Sequence, residues 1–284
     1  MSKIKKWDLV ITPHNSWFDF HFREIFNYKD LLVLFVKKDI TVFYKQTILG
    51  PLWFFIQPFI STVLFSFIFN KVAKISTDGV PPYLFYMSGI IAWNYFSDCI
   101  TTTSNTLTTN ANIFGKVYFP RIIVPFSKVV SGLSKFILQL VFYFFIYFYF
   151  IYSGNTSINL SINIIFLIPL LIIQMALLGL GIGLIISSLT TKYRDLNYLI
   201  GFGTQLLMYA SPIIYPLSIV PDRYKYFLML NPITPIIELF RLGLVGQGYF
   251  DVLLFIYSIF ITTLFFFAGV IIFNKVEKSF IDTV

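Results

Sequence analysis

Apolar stretches of about 18 to 30 residues, separated by short segments that hold most of the charge, recur along this 284-residue chain. A helix rises about 1.5 Å per residue, so such a stretch crosses the roughly 30 Å hydrocarbon core of a bilayer with its backbone satisfied internally. The alternating ten-residue strands of a membrane barrel do not fit these lengths. With 57% apolar and only 12% charged residues, the chain has too little polar surface to cover a soluble globule. The expected fold class is an all-α polytopic membrane protein. Its six transmembrane helices are expected at about 52–72, 84–106, 121–152, 161–189, 196–214 and 250–273.

Lys and Arg collect on the cytoplasmic side of membrane proteins, and their distribution orients the spans. With both termini inside, 15 of the 21 fall in cytoplasmic segments and five outside, while Lys135 lies within the third span. The net charge of +8 is therefore mainly a topology signal, with some attraction to anionic membrane lipid. No basic face exists outside these loops, so nucleic acid is not an expected partner. The opening MSKIKKWDLVITPHNSW has no apolar core and no small-residue cleavage site, and no cleaved signal peptide is expected.

Two segments depart from simple spans. Residues 27–45 carry Leu31, Leu32, Phe35, Val36, Val42 and Phe43 on one side, with Asp30, Lys37, Lys38, Thr41 and Lys45 elsewhere. Too short and too charged to cross, the segment is expected to lie along the cytoplasmic interface. Residues 215–248 contain two apolar runs of about ten residues, set off by Pro216, Pro221, Pro232 and Pro235. They predict a pair of re-entrant or outer-surface helices before the last span. Between interface segment and first span stands YKQTILGPLW (44–53), in which Gly50 and Pro51 permit a sharp change of direction and Trp53 suits the interface.

Catalytic and metal chemistry have little to work with. The two histidines, His14 and His21, lie in the polar N-terminal arm, and neither HExxH nor GxSxG occurs. The lone Cys99 excludes an internal disulfide or a cysteine metal cluster and reads as a packed thiol. No GxxxxGK[ST] is present, and Gly115-Lys116 lacks the rest of that motif, so any ATP use belongs to a partner. A catalytic site and a metal site are therefore not expected.

Polar residues inside spans are functional by default. Asp98, with Thr101 to Asn105, makes the second span partly hydrophilic; Lys128 and Lys135, seven apart on one face of the third, are candidates to pair with Asp98 or to meet cargo. Gly179, Gly181 and Gly183 predict close helix packing. The segments 108–121 and 189–197 read equally as surface helices for a partner or as plain connecting loops with topogenic charge.

In order along the chain, KDITVFYKQTILGPLWFFIQP (38–58), SNTLTTNANIFGKVYFPR (104–121), TKYRDLNYLI (191–200), SPIIYPLSIVP (211–221) and LNPITPIIELFR (230–241) resemble the membrane subunit of type-2 ABC exporters for O-antigen and related polysaccharides. The resemblance implies a homodimer around a pore, each copy resting on a separate ATPase subunit. ATP and Mg bind in that partner, and this chain carries no cofactor. It implies a coupling helix that docks in the ATPase through Asn110, Asn112, Phe114, Lys116, Tyr118, Phe119 and Pro120, with a second contact at Tyr193, Arg194 and Asp195. Lys37, Lys38, Tyr44, Lys45, Gly50 and Pro51 fall on its interface helix and elbow, and 215–248 on its outer gate helices.

The resemblance also implies pore rings on which sugar faces slide. Trp53, Phe54, Trp93, Tyr95 and Phe96, near span ends or beside polar residues, are preferred over the block VFYFFIYFYFIY (141–152), with Asp98 and Asn105 as polar lining. Phe43 stands where the family carries a basic residue. The domains so implied are an arm and interface helix (1–46) and a six-span transmembrane domain (47–284) in the cell inner membrane. The implied cargo is a lipid-linked polysaccharide, with drug, capsule and teichoic-acid export as alternatives. A membrane enzyme acting on polyprenyl-linked sugars lacks convincing acid or His groups here. A secondary transporter would call for internal repeats and usually more spans.

Overall fold

Why the chain bends before its first span is written in its backbone. The computed structural model describes residues 27–45, 48–114, 116–117, 119–154, 166–193 and 195–280. Helix α1 (Lys29–Lys45) has Asp30 in its first turn and Lys45 in its last, the arrangement that the helix dipole favours. It buries Phe35 and leaves Val33, Leu34 and Val42 exposed. Gly50 then takes φ 50°, a left-handed conformation open to glycine, and Pro51 with its fixed φ starts the next helix. From Gly50 to Val72 the chain is continuously helical: a short 3₁₀ turn, α2 (Trp53–Phe65), and a π-helical end over Ser66–Val72.

Helix α3 (Pro82–Ser104) is the centre of the bundle, buried along most of its length between α6 (Ile123–Tyr152) and α7 (Ile168–Thr190). Two single turns, α4 (Thr106–Thr109) and α5 (Ala111–Phe114), link α3 to α6. After α7 come α8 (Leu196–Tyr209), a 3₁₀ turn at Leu217–Ile219, α9 (Asp222–Met229), α10 (Ile233–Val245) and the long α11 (Val252–Phe280). Glycines set the closest approaches. A Cβ on Gly179 or Gly183 would strike Cys99 or Thr103 of α3, and one on Gly181 would strike the backbone of α11 at 2.7 Å. The expected close packing along this glycine run is present.

The expected six spans are not all long apolar helices. Among the described residues, four helices are long and apolar enough to cross: Gly50–Val72, Ile123–Tyr152, Ile168–Thr190 and Val252–Glu277. Helix α3, 23 residues long, has the length but is too polar by composition; its neighbours cover Ser88, Thr103 and Ser104. Helix α8 has 14 residues, about 21 Å, because the chain leaves the helix at Ala210 and turns before Pro216. The proline-punctuated segment forms the predicted pair of short helices, α9 and α10, bent by 100° at their junction and counted as a fifth span only if taken together. Pro232 lies just before α10, and Gly246 closes it at φ 76°. Residues 161–165 of the expected fourth span and the arm 1–26 lie outside the described residues.

Candidate functional site

Four elements meet at the end of the bundle that holds α4 and α5, and between them is a pocket of about 360 Å³. Helix α6 supplies Lys128, Ser131, Gly132 and Lys135, whose spacing puts them on one helix face. Helix α3 supplies Asp98 and, one turn on, Thr102; α1 supplies Asp39; α2 supplies Phe54. Gly132 leaves room beside Tyr95, 3.6 Å from where a Cβ would stand.

Two ion pairs cross this pocket. Lys135 Nζ donates to Asp98 Oδ2 at 2.7 Å, and Lys128 Nζ donates to Asp39 Oδ1 at 2.8 Å. Of the pairings open in the sequence, Lys135 thus takes Asp98 and Lys128 takes a carboxylate of α1. The four side chains are 14% to 38% exposed, so each pair is reachable from the pocket rather than sealed. Charge-assisted bonds of this length are strong locally, but water access moderates them. Asp39 was not singled out by the sequence reading. Its signal is a carboxylate four residues after the buried Phe35, on the same face of an amphipathic helix.

Beside the pocket, the connection from α3 to α6 is tied down from below. Side chains of Thr106, Thr108, Thr109 and Asn110 all bond back to backbone carbonyls three or four residues earlier. This local competition accounts for two separate turns where one short helix was expected. Phe119 packs on Phe35 of α1 at 5.9 Å and on Phe114 at 5.8 Å. Arg121 lies 5.5 Å from the Phe114 ring centre, donates to the Glu277 carbonyl, and has Nε 3.7 Å from the Glu277 carboxylate. One aromatic knot therefore joins α1, this connection and the C-terminal part of α11.

What the knot leaves outside is specific. Asn112, Lys116 and Val117 are exposed, whereas Phe114 and Phe119 are buried and Pro120 is half-buried. Asn110 is half-buried, its amide donating to the Thr106 carbonyl. Across the α7–α8 turn Tyr193 and Asp195 are exposed, with Lys192 Nζ 5.3 Å from the Tyr193 ring centre. Tyr118, Arg194 and the side chain of Tyr44 lie outside the described residues. Lys37, Lys38 and Lys45 are exposed along α1, and Gly50 and Pro51 form the bend into α2.

Of the rings preferred as pore lining, three are covered by the protomer itself. Trp93, Tyr95 and Phe96 are each less than 5% exposed, packed inside the protomer with Trp93 on Phe96 at 5.5 Å and Tyr95 on Phe136 at 5.2 Å. Central placement of α3 buries them, so in this conformation a sugar face cannot reach them. Trp53 is half exposed and Phe54 lines the pocket, while Asn105 bonds the Thr101 carbonyl at the end of α3. The exposed rings of α6 are Phe145, Phe148, Tyr149 and Tyr152, from the block that the sequence ranked lower.

At the opposite end, α10 holds a fully buried ion pair that the sequence reading passed over. Arg241 Nη1 donates to Glu238 Oε1 at 2.8 Å, Arg241 Nη2 to the Pro212 carbonyl at 2.7 Å, and the guanidinium lies 3.9 Å from the Phe85 ring centre. Glu238 Oε2 accepts from the Tyr249 amide. The pair thereby fixes the turn after α8, α3 and the α10–α11 connection around one point. Its sequence signal was an i,i+3 acid–base pair inside an apolar run.

Comparisons with known proteins run along almost the whole of this architecture. The family model described as ABC-2 type transporter matches residues 30–245, from the first turn of α1 to the end of α10. A Klebsiella pneumoniae protein named O-antigen export system permease protein RfbA is 30% identical over 258 residues, covering 89% of this chain and 94% of the relative. A second protein of that name and organism is 29% identical over 262 residues with the same coverage. A Myxococcus xanthus protein of the same name is 24% identical over 221 residues, 77% of this chain and 82% of the relative.

Proposed function

The chain belongs to the ABC-2 type transporter membrane family, and from that premise we propose that it is the channel-forming permease of an ATP-driven exporter moving lipid-linked O-antigen-type polysaccharide across the inner membrane. The observation that carries this reading is the match, over 89% of the chain, to permeases named for O-antigen export. Two copies form the pore, and two ATPase subunits, which hold ATP and Mg, drive it. Both termini face the cytoplasm, as the distribution of Lys and Arg supports.

Coupling to the ATPase is assigned to the surface that the aromatic knot leaves outside: Asn112, Lys116, Tyr193 and Asp195, with Tyr118 and Arg194 beside them in sequence. A push on this surface is passed by Phe119 to Phe35, and so to α1 and the Lys128–Asp39 pair. Rigid-body displacement of packed elements is an ordinary way to convert such a push into opening. Helix α8, with Ile200 its sole buried residue and Tyr198, Leu199, Phe202 and Leu206 exposed, offers an apolar face for the second copy. The cargo enters beside α1 and α2, at the pocket.

The test is genetic and direct. In a strain lacking this chain, polysaccharide accumulates on its lipid carrier inside the cell and disappears from the surface, and the wild-type chain restores it. Unchanged surface polysaccharide in that strain sinks the proposal.

A further inference from the structure

At the end of the bundle opposite α4 and α5, a second pocket of about 230 Å³ opens beside the buried Arg241–Glu238 pair. Five pieces of chain meet around it. Asp78 comes from the connection between α2 and α3, Ser218 from the turn after α8, Lys225 from α9, Arg241 from α10, and Tyr249 from the connection into α11. At its base Phe85, Leu217, Glu238 and Arg241 are buried, whereas Asp78, Ser218, Gln247 and Tyr249 at its mouth are exposed. The lining holds two cations and two carboxylates, so its formal charge is zero.

These charged groups differ in what they have left to offer. Arg241 gives Nη1 to Glu238 and Nη2 to the Pro212 carbonyl, but its Nε, a donor only, is buried with no hydrogen-bond partner. An unmade bond at a buried charged group is costly, and an incoming acceptor relieves it. Half-buried Lys225 has its Nζ 4.7 Å from the Tyr249 ring centre, a contact that leaves ammonium hydrogens for an acceptor. Glu238 has both oxygens engaged, Oε1 by Arg241 and Oε2 by the Tyr249 amide. Asp78 is the open acceptor. Its backbone takes φ 51°, which Asp and Asn tolerate, and the Ser218 hydroxyl donates to its carboxylate at 2.8 Å from Oδ2 and 2.9 Å from Oδ1. One hydroxyl hydrogen leaves most of the lone pairs of that carboxylate free.

A lone anion or a lone cation entering here meets two like charges. A sugar face needs a bare aromatic ring, yet both rings of the lining already hold a cation, Arg241 on Phe85 at 3.9 Å and Lys225 on Tyr249 at 4.7 Å. The same occupancy leaves no aromatic cage for a quaternary ammonium. A primary ammonium joined to a phosphate meets every open group. We infer that this pocket binds the head group of a zwitterionic aminophospholipid, whose phosphate oxygens accept from Arg241 Nε and Lys225 and whose ammonium donates to Asp78. The volume lies below the range of about 300–1,000 Å³ for drug-sized ligands, so it holds a head group and excludes the chains. Beside Lys225 and Tyr249 the apolar Tyr226, Phe227, Phe250 and Leu253 are exposed, a flank for those chains. On the topology proposed above, the site meets the outer leaflet, away from the cargo pocket. A lipid seated there holds the short pair α9 and α10 to the α2–α3 connection and the turn after α8.

The test takes the full chain in nonionic detergent, freed of bound lipid, and counts added lipid by native mass spectrometry. Phosphatidylethanolamine, phosphatidylcholine and phosphatidylglycerol with the same chains are compared. Wild type binds the first about tenfold more tightly than either of the others, the effect of roughly one hydrogen bond to a charged group. Asp78→Asn keeps a residue that tolerates the left-handed backbone and can still accept from Ser218, but it removes the charge, so phosphatidylethanolamine falls level with phosphatidylcholine. Lys225→Gln weakens both by about tenfold and keeps their ratio. Arg241 stays intact, because its loss strands Glu238, and an unchanged lipid-free melting midpoint shows that the two variants are folded. Glycerophosphoethanolamine, the head group without chains, competes only above about a hundredfold excess, since buried methylenes supply the rest of the affinity.

Equal binding of the three lipids, wild-type binding in either variant, or competition by glycerophosphoethanolamine at equal concentration overturns the assignment. If that happens while the wild-type chain still restores surface polysaccharide in the deletion strain, this site is wrong and the export reading stands.

Discussion

Adding one methyl group at the contact of α7 and α11 offers a measurement of how closely these helices pack. A Cβ on Gly181 would stand 2.7 Å from the carbonyl carbon and oxygen of Phe265 and the amide nitrogen of Phe266, all backbone atoms that cannot rotate away. Ordinary contact begins at 3.4 Å, so the helices must part by about 0.7 Å. A gap of that size forfeits about a quarter to a half of each dispersion contact along the seam. Overpacking of this kind costs about 1–3 kcal/mol, and about 2 is expected for Gly181→Ala. In a chain of this length 1 kcal/mol moves a midpoint by about 2–4 °C, so the expected fall is about 4–8 °C.

Gly269→Ala is expected to fall at least as far, because its Cβ would land on the Gly181 carbonyl oxygen. Gly201→Ala and Gly203→Ala on α8 are the controls. Nothing lies within 4 Å of either added methyl, and alanine's helix propensity favours them by at most about 1 kcal/mol. The chain supplies its own probe: Cys99 is the sole cysteine and 1% exposed, so a thiol-reactive fluorophore reports unfolding of detergent-solubilised protein. If Gly181→Ala and Gly269→Ala melt with wild type, the close approach is refuted.

Removing one partner of a buried pair strands the other charge, so Arg241→Leu is expected to cost about 3–5 kcal/mol, read as lost yield and a depressed midpoint, while Glu238→Gln/Arg241→Met costs less. A double variant no more stable than Arg241→Leu would contradict this. At the other end, Lys116→Glu and Tyr193→Ala change exposed side chains, so the midpoint should hold while co-purification with the ATPase falls; undiminished co-purification removes these residues from the coupling surface.

Periodicity and punctuation made much of the fold legible in advance. The bend at Gly50-Pro51, the break before Pro232, and the glycine run of α7 are each local consequences of residue type, and each occurs where the sequence places it. Span count was less legible, since α3 escapes a test of apolarity by being wrapped in other helices and α8 ends early. For the candidate site, Lys128, Lys135 and Asp98 were visible as charges in apolar surroundings. Asp39 was not, because its partner is 89 residues away. The burial of Trp93, Tyr95 and Phe96 was not legible, because a ring near the polar part of a span reads the same whether that span faces a pore or the core.

From sequence alone came the class, an all-helical membrane chain, the resemblance to polysaccharide exporters, and the places where the chain turns, because hydrophobic length, proline and glycine act within a few residues. The tertiary structure decided which helix is central, which carboxylate answers which lysine, and that Phe35, Phe119 and Phe114 bind α1 to the connection between α3 and α6. Those outcomes depend on crossings between helices far apart in the chain. Residue spacing along one helix names the face of a side chain but not the neighbour it meets.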